Sequence, residues 1–224
     1  MDAELRVFIG FDHRQPISYN VLQFSILRRC SVPVSITPLV LPTLPMQRQG
    51  LTPFTYSRFL VPYLCGFRGL ALFMDLDMLV LDDLAKLEME PGKAVMVVDT
   101  EPRFERASVM LFDCAHYHNR RLTPEYIEAA NDLHVIGWTD RIGFLDKRWN
   151  HLVGYDPEPE AKPSIIHYTM GVPVFEETED SPFAEEWRAE HRLMNSAQPW
   201  VTLMGRSVHA AERNGRLVPK YKVA

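Results

Sequence analysis

Three cysteines in 224 residues, Cys30, Cys65 and Cys114, are too few and too scattered for a disulfide framework, and none forms a Cys-x-x-Cys pair suited to zinc. Reduced thiols and a cytoplasmic setting are the expectation. No apolar run approaches the roughly 20 residues that cross a bilayer, so membrane contact is expected to be at most peripheral, at the inner face. Positive charge is also short: 24 Lys and Arg stand against 29 Asp and Glu, a net charge of -5. A broad phosphate-tracking surface is thereby excluded, and nucleic acid is not an expected partner. The start, Met1-Asp2-Ala3-Glu4, is acidic and does not read as a secretory signal. Internal repeats and low-complexity stretches are missing. The local exception is the segment 204–224, where Arg206, Arg213, Arg216, Lys220 and Lys222 face one acid, Glu212. It reads as a solvated or frayed terminus, or alternatively as a weak anchor for an anionic membrane surface. What is present, 46% hydrophobic and 24% charged residues, suits one domain over 1–224, with 176–224 as a C-terminal helix and basic tail.

The pattern along the chain is that of an α/β protein. Leu5 to Phe11 reads as a strand, and Pro16 opens a helix whose Ile17, Val21, Leu22, Ser25 and Ile26 share a face, with Arg28 and Arg29 at the end that favours cations. Val34 to Val40 reads as a second strand, which Pro38 confines to an edge. After the proline-rich loop 41–53, Thr55 to Leu64 regains helical spacing through Tyr56, Phe59, Leu60 and Tyr63, in a helix that Pro62 shortens or bends. Leu70 to Met74 reads as a buried parallel strand, and Met78 to Leu81, Lys93 to Val98 and Ala107 to Phe112 as further strands. Thr123 caps a helix running to Asp132, Ser164 to Ile166 forms a short strand ending at His167, and Phe183, Trp187, His191 and Met194 share a late helical face. The stretch 138–155 carries no clear period.

Asp75-Leu76-Asp77 closes the most apolar of these strands. Residues two apart in an extended chain point to one side, so both carboxylates can meet one hard cation, magnesium or manganese, which completes its shell with phosphate oxygens. Two solvated acids at a strand end are the plainer reading. In open α/β sheets ligands bind beyond the carboxyl ends of strands, which would gather Asp12, Asp75, Asp77 and His167 on one rim. A neutral imidazole is a competent third ligand. Arg58 can pair with Asp75 or reach a diphosphate. Trp149-Asn150-His151 offers a ring and an amide to a sugar, or else a tryptophan for the core.

Six segments, taken in order, resemble glycosyltransferase family 8: Val7–Asp12, Phe54–Phe59, Phe73–Asp77, Ala107–Phe112, Arg148–Asn150 and His167–Gly171. The resemblance covers most of the chain, to about Phe175. It implies the GT-A nucleotide-diphospho-sugar transferase fold, a mixed, mostly parallel central sheet flanked by helices. It also implies manganese (or magnesium) held by Asp75, Asp77 and His167 and bound to the diphosphate of a nucleotide sugar, usually a uridine one. Gly10, Phe11 and Asp12 would hold the nucleoside, Arg58, Asp75 and Gly171 would adjoin the donor, and Ser108 and Asn150 would line the sugar pocket. Transfer would retain configuration, to a saccharide or lipid-linked saccharide such as a lipopolysaccharide or capsule precursor. Pro173 stands near the place of a phosphate-binding lysine in that family, and Asp132 and Asp140 are the candidates for its catalytic carboxylate.

Two other classes compete. An apolar strand before Asp-x-Asp also resembles the opening motif of haloacid-dehalogenase-like phosphatases, with Asp75 as nucleophile, but that motif normally opens the fold and no strand-borne acidic pair follows Lys147 or Lys162. A non-catalytic nucleotide- or sugar-binding module is the third.

Overall fold

The computed structural model describes residues 4–213 and 215–220. Met1, Asp2 and Ala3 of the acidic start and Lys222 of the basic tail lie outside them. In chain order the elements are β1 (Leu5–Gly10), α1 (Pro16–Arg29), β2 (Val34–Leu39), α2 (Val61–Leu64), β3 (Leu70–Met74), β4 (Met78–Val80), β5 (Val95–Val98), β6 (Val109–Asp113), α3 (Pro124–Ala129), β7 (Ile142–Leu145), β8 (His151–Leu152), β9 (Ile165–His167), α4 (Ala184–Met194), α5 (Trp200–Met204), β10 (Ala210–Arg213) and β11 (Arg216–Pro219). Two compact units are formed, Met1–Glu190 and His191–Ala224. The first holds a six-stranded sheet of order β2-β1-β3-β6-β5-β7 and a three-stranded sheet of order β4-β9-β8. The second holds α5 and the antiparallel β10–β11 hairpin.

The large sheet is mixed. β1 runs parallel to β2 and β3, and β5 parallel to β7, whereas β6 lies antiparallel to both β3 and β5. The expectation of a parallel β3 therefore holds on one side only: its apolarity reports burial on both faces, which an antiparallel neighbour provides equally well. β2 is an edge strand, as Pro38 requires. Thr55 to Leu64 is not one helix. Ser57–Leu60 winds as a 3-10 turn and α2 adds a single α-turn. Pro62 has no N–H for the carbonyl of Arg58, so the α-ladder cannot run through. In the stretch without a clear period, β7 and β8 both occur, and the described part of the basic tail carries the β10–β11 hairpin.

α1 anchors the small sheet. Its Ser25 Oγ donates to the Leu22 carbonyl at 2.7 Å and accepts from the Val80 N–H at 3.1 Å, which ties β4 to the buried face of the helix. At its carboxyl end, Arg28 and Arg29 both reach Glu190 of α4, with contacts of 2.8 to 3.0 Å. Burial would raise the Glu190 carboxyl, but the two guanidinium groups outweigh it and hold the pKa below the ordinary value. Glu190→Gln is expected to cost about 2 kcal/mol, the range for hydrogen bonds to charged groups. A depressed carboxyl stabilises the fold above its unfolded pKa and stops doing so as pH falls through the folded one. Urea unfolding should accordingly separate wild type from variant at pH 7 and bring them together near pH 3.

Candidate functional site

β1 and β3 end side by side, because parallel pairing sets Ile9 against Met74. Gly10 closes β1 where a Cβ would lie 2.4 Å from the Phe54 ring, so glycine is what admits that ring. Phe54 in turn lies under the Arg58 guanidinium, 5.5 Å from ring centroid to the cation. Arg58, 7% exposed, does the first of the two things expected of it. Nη2 lies 3.0 Å from Asp75 Oδ1 and Nη1 donates to Oδ2 at 3.2 Å, while Nη1 also donates to the Ala107 carbonyl at 2.9 Å.

Asp77 and His167 arrive on the small sheet. β4 pairs β9 antiparallel with Met78 opposite His167, and the Tyr168 N–H donates to the Asp77 carbonyl at 2.9 Å. Asp77 Oδ1 consequently sits 3.3 Å from His167 Nε2. The other ring nitrogen, Nδ1, is 3.8 Å from Glu105 Oε2. Asp75, Asp77, Glu105 and His167 line one cavity of about 460 Å³ with Arg58, Phe104, His134 and Thr169. Ligand atoms of Asp75, Glu105 and His167 all lie within 4.8 Å of one another.

Titration follows from this crowding. Burial pushes Asp75 up to about 7 despite Arg58, and Asp77 adds to the rise. Burial opposes a charge on His167, but Asp77, Glu105 and Asp75 together raise its pKa above the usual value. His134 is driven down to about 4 by burial and by Arg58, so a neutral imidazole faces the cavity at physiological pH. Asp75 Oδ1, Asp77 Oδ1 and His167 Nδ1 are buried with no hydrogen-bond partner of good geometry. An Asp77 oxygen and an imidazole nitrogen without hydrogen-bond partners, beside the Asp75 carboxylate that Arg58 holds, fit a hard or borderline divalent cation.

Other expected site residues fall elsewhere. Ser108 and Asn150 meet: Asn150 Nδ2 donates to Ser108 Oγ at 2.8 Å, leaving Asn150 Oδ1 buried and unpartnered. Asp12 is fully buried and does not line the acidic cavity; its carboxylate accepts from Arg14 Nε at 2.9 Å and from the Arg14 backbone N–H at 2.9 Å. Phe11 and Arg14 border a neighbouring cavity of about 540 Å³ with Val40, Leu41 and Leu51. Gly171 takes φ 111°, a backbone state that favours glycine, beside Phe175. Trp149 is 5% exposed and belongs to the core, so the plainer reading of that ring holds. Asp132 and Asp140 are exposed and do not line the acidic cavity; Asp140 lies 3.5 Å from His118 Nδ1. Glu105 and His134 are the residues that sequence reasoning missed. Glu105 sits in the polar stretch between β5 and β6, and nothing in the sequence marked it beyond its position three residues before Ser108.

No family model matches the chain. It is 32% identical to Protein CDI of Arabidopsis thaliana over 227 residues, 85% of this chain and 87% of that protein. Among solved structures it is similar to WbbM, a bifunctional glycosyltransferase, with TM-score 0.66 and 17% identity over 91% of this chain and 51% of that one. It is also similar to the glycosyltransferase GlyE of Streptococcus pneumoniae TIGR4, with TM-score 0.63 and 16% identity over 90% and 62%. The galactosyltransferase LgtC, solved with donor and acceptor sugar analogues, aligns with TM-score 0.59 and 11% identity over 88% and 99%. The chain thus spans about half the length of WbbM and under two thirds of GlyE. At these identities the likeness is one of fold, and the fold is GT-A.

Proposed function

The chain belongs to the family of Protein CDI of Arabidopsis thaliana, and we propose that it is a glycosyltransferase that moves a sugar from a nucleoside-diphosphate donor to a saccharide acceptor with a divalent cation. The observation that carries this reading is the meeting of Asp75, Asp77 and His167 at one cavity, with Asp77 Oδ1 and His167 Nδ1 buried and without a hydrogen-bond partner, at the strand ends of a GT-A fold. These three residues would hold manganese or magnesium. Once bound, such an ion offsets the diphosphate charge and stabilises the leaving group as a Lewis acid.

The rest is the work of the chain itself. Arg58 holds Asp75 in place and supplies the positive charge that a buried carboxylate needs. The larger neighbouring cavity, with Phe11 and the apolar Val40, Leu41 and Leu51, suits a nucleoside, and Arg14 at its wall suits phosphate. We read the donor as a uridine one and the transfer as retaining, from the resemblance in the motifs. Asn150 Oδ1, fixed by the bond of its amide nitrogen to Ser108, would accept from a sugar hydroxyl. Leu51 and Phe104, exposed by 92% and 53%, flank the acidic cavity and suit an acceptor with an apolar portion. Contact with a membrane would be peripheral, since no helix among the described residues is long and apolar enough to cross one.

A phosphatase would need Asp75 as a free nucleophile. Its carboxylate is instead paired with Arg58 and part protonated near neutrality, which weakens it for attack. Incubation with Mn²⁺ and a panel of nucleotide sugars tests the proposal. Donor hydrolysis or transfer that stops on chelation is the expected result. Phosphate release from simple monoesters, or donor binding with no turnover on any acceptor, would point to the phosphatase or to a binding module.

A further inference from the structure

Glu105 is an acid that the Asp-x-Asp motif does not account for. Its side chain is only 15% exposed, and among the described residues its ion-pair partner is His167, 3.8 Å away, with no arginine or lysine within ion-pairing distance of its carboxylate. A largely buried carboxylate in such a place needs a counter-charge. Arg58 is committed to Asp75, so three carboxylates share one guanidinium and the His167 imidazole, while His134 adds a second, neutral ring at the cavity wall.

The backbone that carries Glu105 is fixed. It lies in the 3-10 segment Arg103–Ser108, directly before β6. Its carbonyl accepts from Ser108 Oγ at 2.6 Å and from Asn150 Nδ2 at 3.4 Å. The carboxylate is thereby delivered to the Nδ1 side of His167, opposite the ring nitrogen that meets Asp77. That Nδ1 is the buried atom of His167 with no hydrogen-bond partner, on a residue 2% exposed.

We infer that Glu105 supplies a further carboxylate ligand to the cation of this cavity, in company with Asp75 and His167, an inference that rests on the metal-dependent reading above. The distances allow it: ligand atoms of the three residues are mutually within 4.8 Å, and two ligands on opposite sides of a small divalent ion lie about 4.2 Å apart. The donor set of Asp75, Glu105 and His167 is two oxygens and a nitrogen, a composition that suits Mn²⁺ and leaves positions for phosphate oxygens.

Mn²⁺ uptake by the full chain, followed by the electron paramagnetic resonance of the free ion and without nucleotide, tests this directly. Glu105→Gln keeps the shape and removes the charge; Glu105→Asp keeps the charge and withdraws it by one methylene. Both are expected to bind Mn²⁺ at least about tenfold more weakly than wild type. Their unfolding temperatures without metal should stay near the wild-type value, and the rise caused by Mn²⁺ should shrink. If Glu105→Gln fails to fold, Glu105→Asp decides. Wild-type affinity in a folded Glu105 variant, with Asp77→Asn deficient in the same assay, would overturn the role of Glu105 and leave the metal site standing. Wild-type protein that takes up no Mn²⁺ would overturn the metal-dependent reading and this inference with it.

Discussion

Asp77→Ala is expected to abolish cation-dependent donor binding while the protein stays folded. The side chain is 23% exposed and meets His167 but no arginine or lysine, so its removal leaves no buried guanidinium stranded. The strand contact survives as well, because the bond from the Tyr168 N–H is to the Asp77 carbonyl and not to its carboxylate. What goes is one carboxylate from a cavity where Asp77 Oδ1 and His167 Nδ1 are buried without a hydrogen-bond partner. Isothermal titration with a nucleotide sugar and Mn²⁺ should show a loss of at least about 100-fold, since even residues one step removed from a metal account for 10- to 100-fold. Equal affinity in wild type and variant would remove Asp77 from the site.

Arg58→Met should produce the largest loss of stability, about 3 to 5 kcal/mol at pH 8, because it strips the counter-ion from a buried carboxylate. The loss should depend on pH with a definite sign. Asp75 sits at about 7 even beside the guanidinium, so at pH 5 it is largely neutral in the fold and the ion pair contributes little. Above pH 7 the wild type gains the pair, whereas the variant must keep the proton at growing expense relative to the unfolded chain. Urea denaturation at pH 5 and pH 8 should show the smaller difference at the lower pH. Adding Asp75→Leu to Arg58→Met should recover part of the stability, since an apolar pair of similar volume avoids the desolvation cost. A variant as stable as wild type at pH 8 would contradict the buried pair.

The parts of the fold that the sequence made legible are those with local causes. β3 and β9 are short apolar runs that stop at a polar residue, and their ends locate Asp75 and His167 directly. Pro38 placed β2 at an edge because it lacks a donor, and Thr123 capped α3 through its bond from the Tyr126 N–H. What escaped has non-local causes. Strand direction is not encoded in apolarity, so the antiparallel β6 beside β3 could not be read from either segment. β7, Ile142–Leu145, carries a glycine and an exposed phenylalanine because it is an edge strand that needs only one covered face. Glu105 reaches the cavity through a 3-10 turn held by Ser108 and Asn150, and Asn150 is 45 residues away in sequence. Trp149 was ambiguous for a related reason: a flat ring serves a ligand or the core equally well until its neighbours are known.

The three-rung pairing of β4 with β9 brings a sensitivity of its own. Side chains on a strand alternate between faces, so a slip of one residue between Met78–Val80 and Ile165–His167 would turn the imidazole away from Asp77 altogether. Of the 84 residues that separate Val80 from Ile165, only the loops between β5, β6, β7 and β8 can lengthen or shorten as surface loops do, provided the strands and the two ends return to the same rungs. Deleting a single residue inside either short strand, by contrast, should silence the cavity as completely as removing a ligand, even in a molecule whose large sheet is untouched.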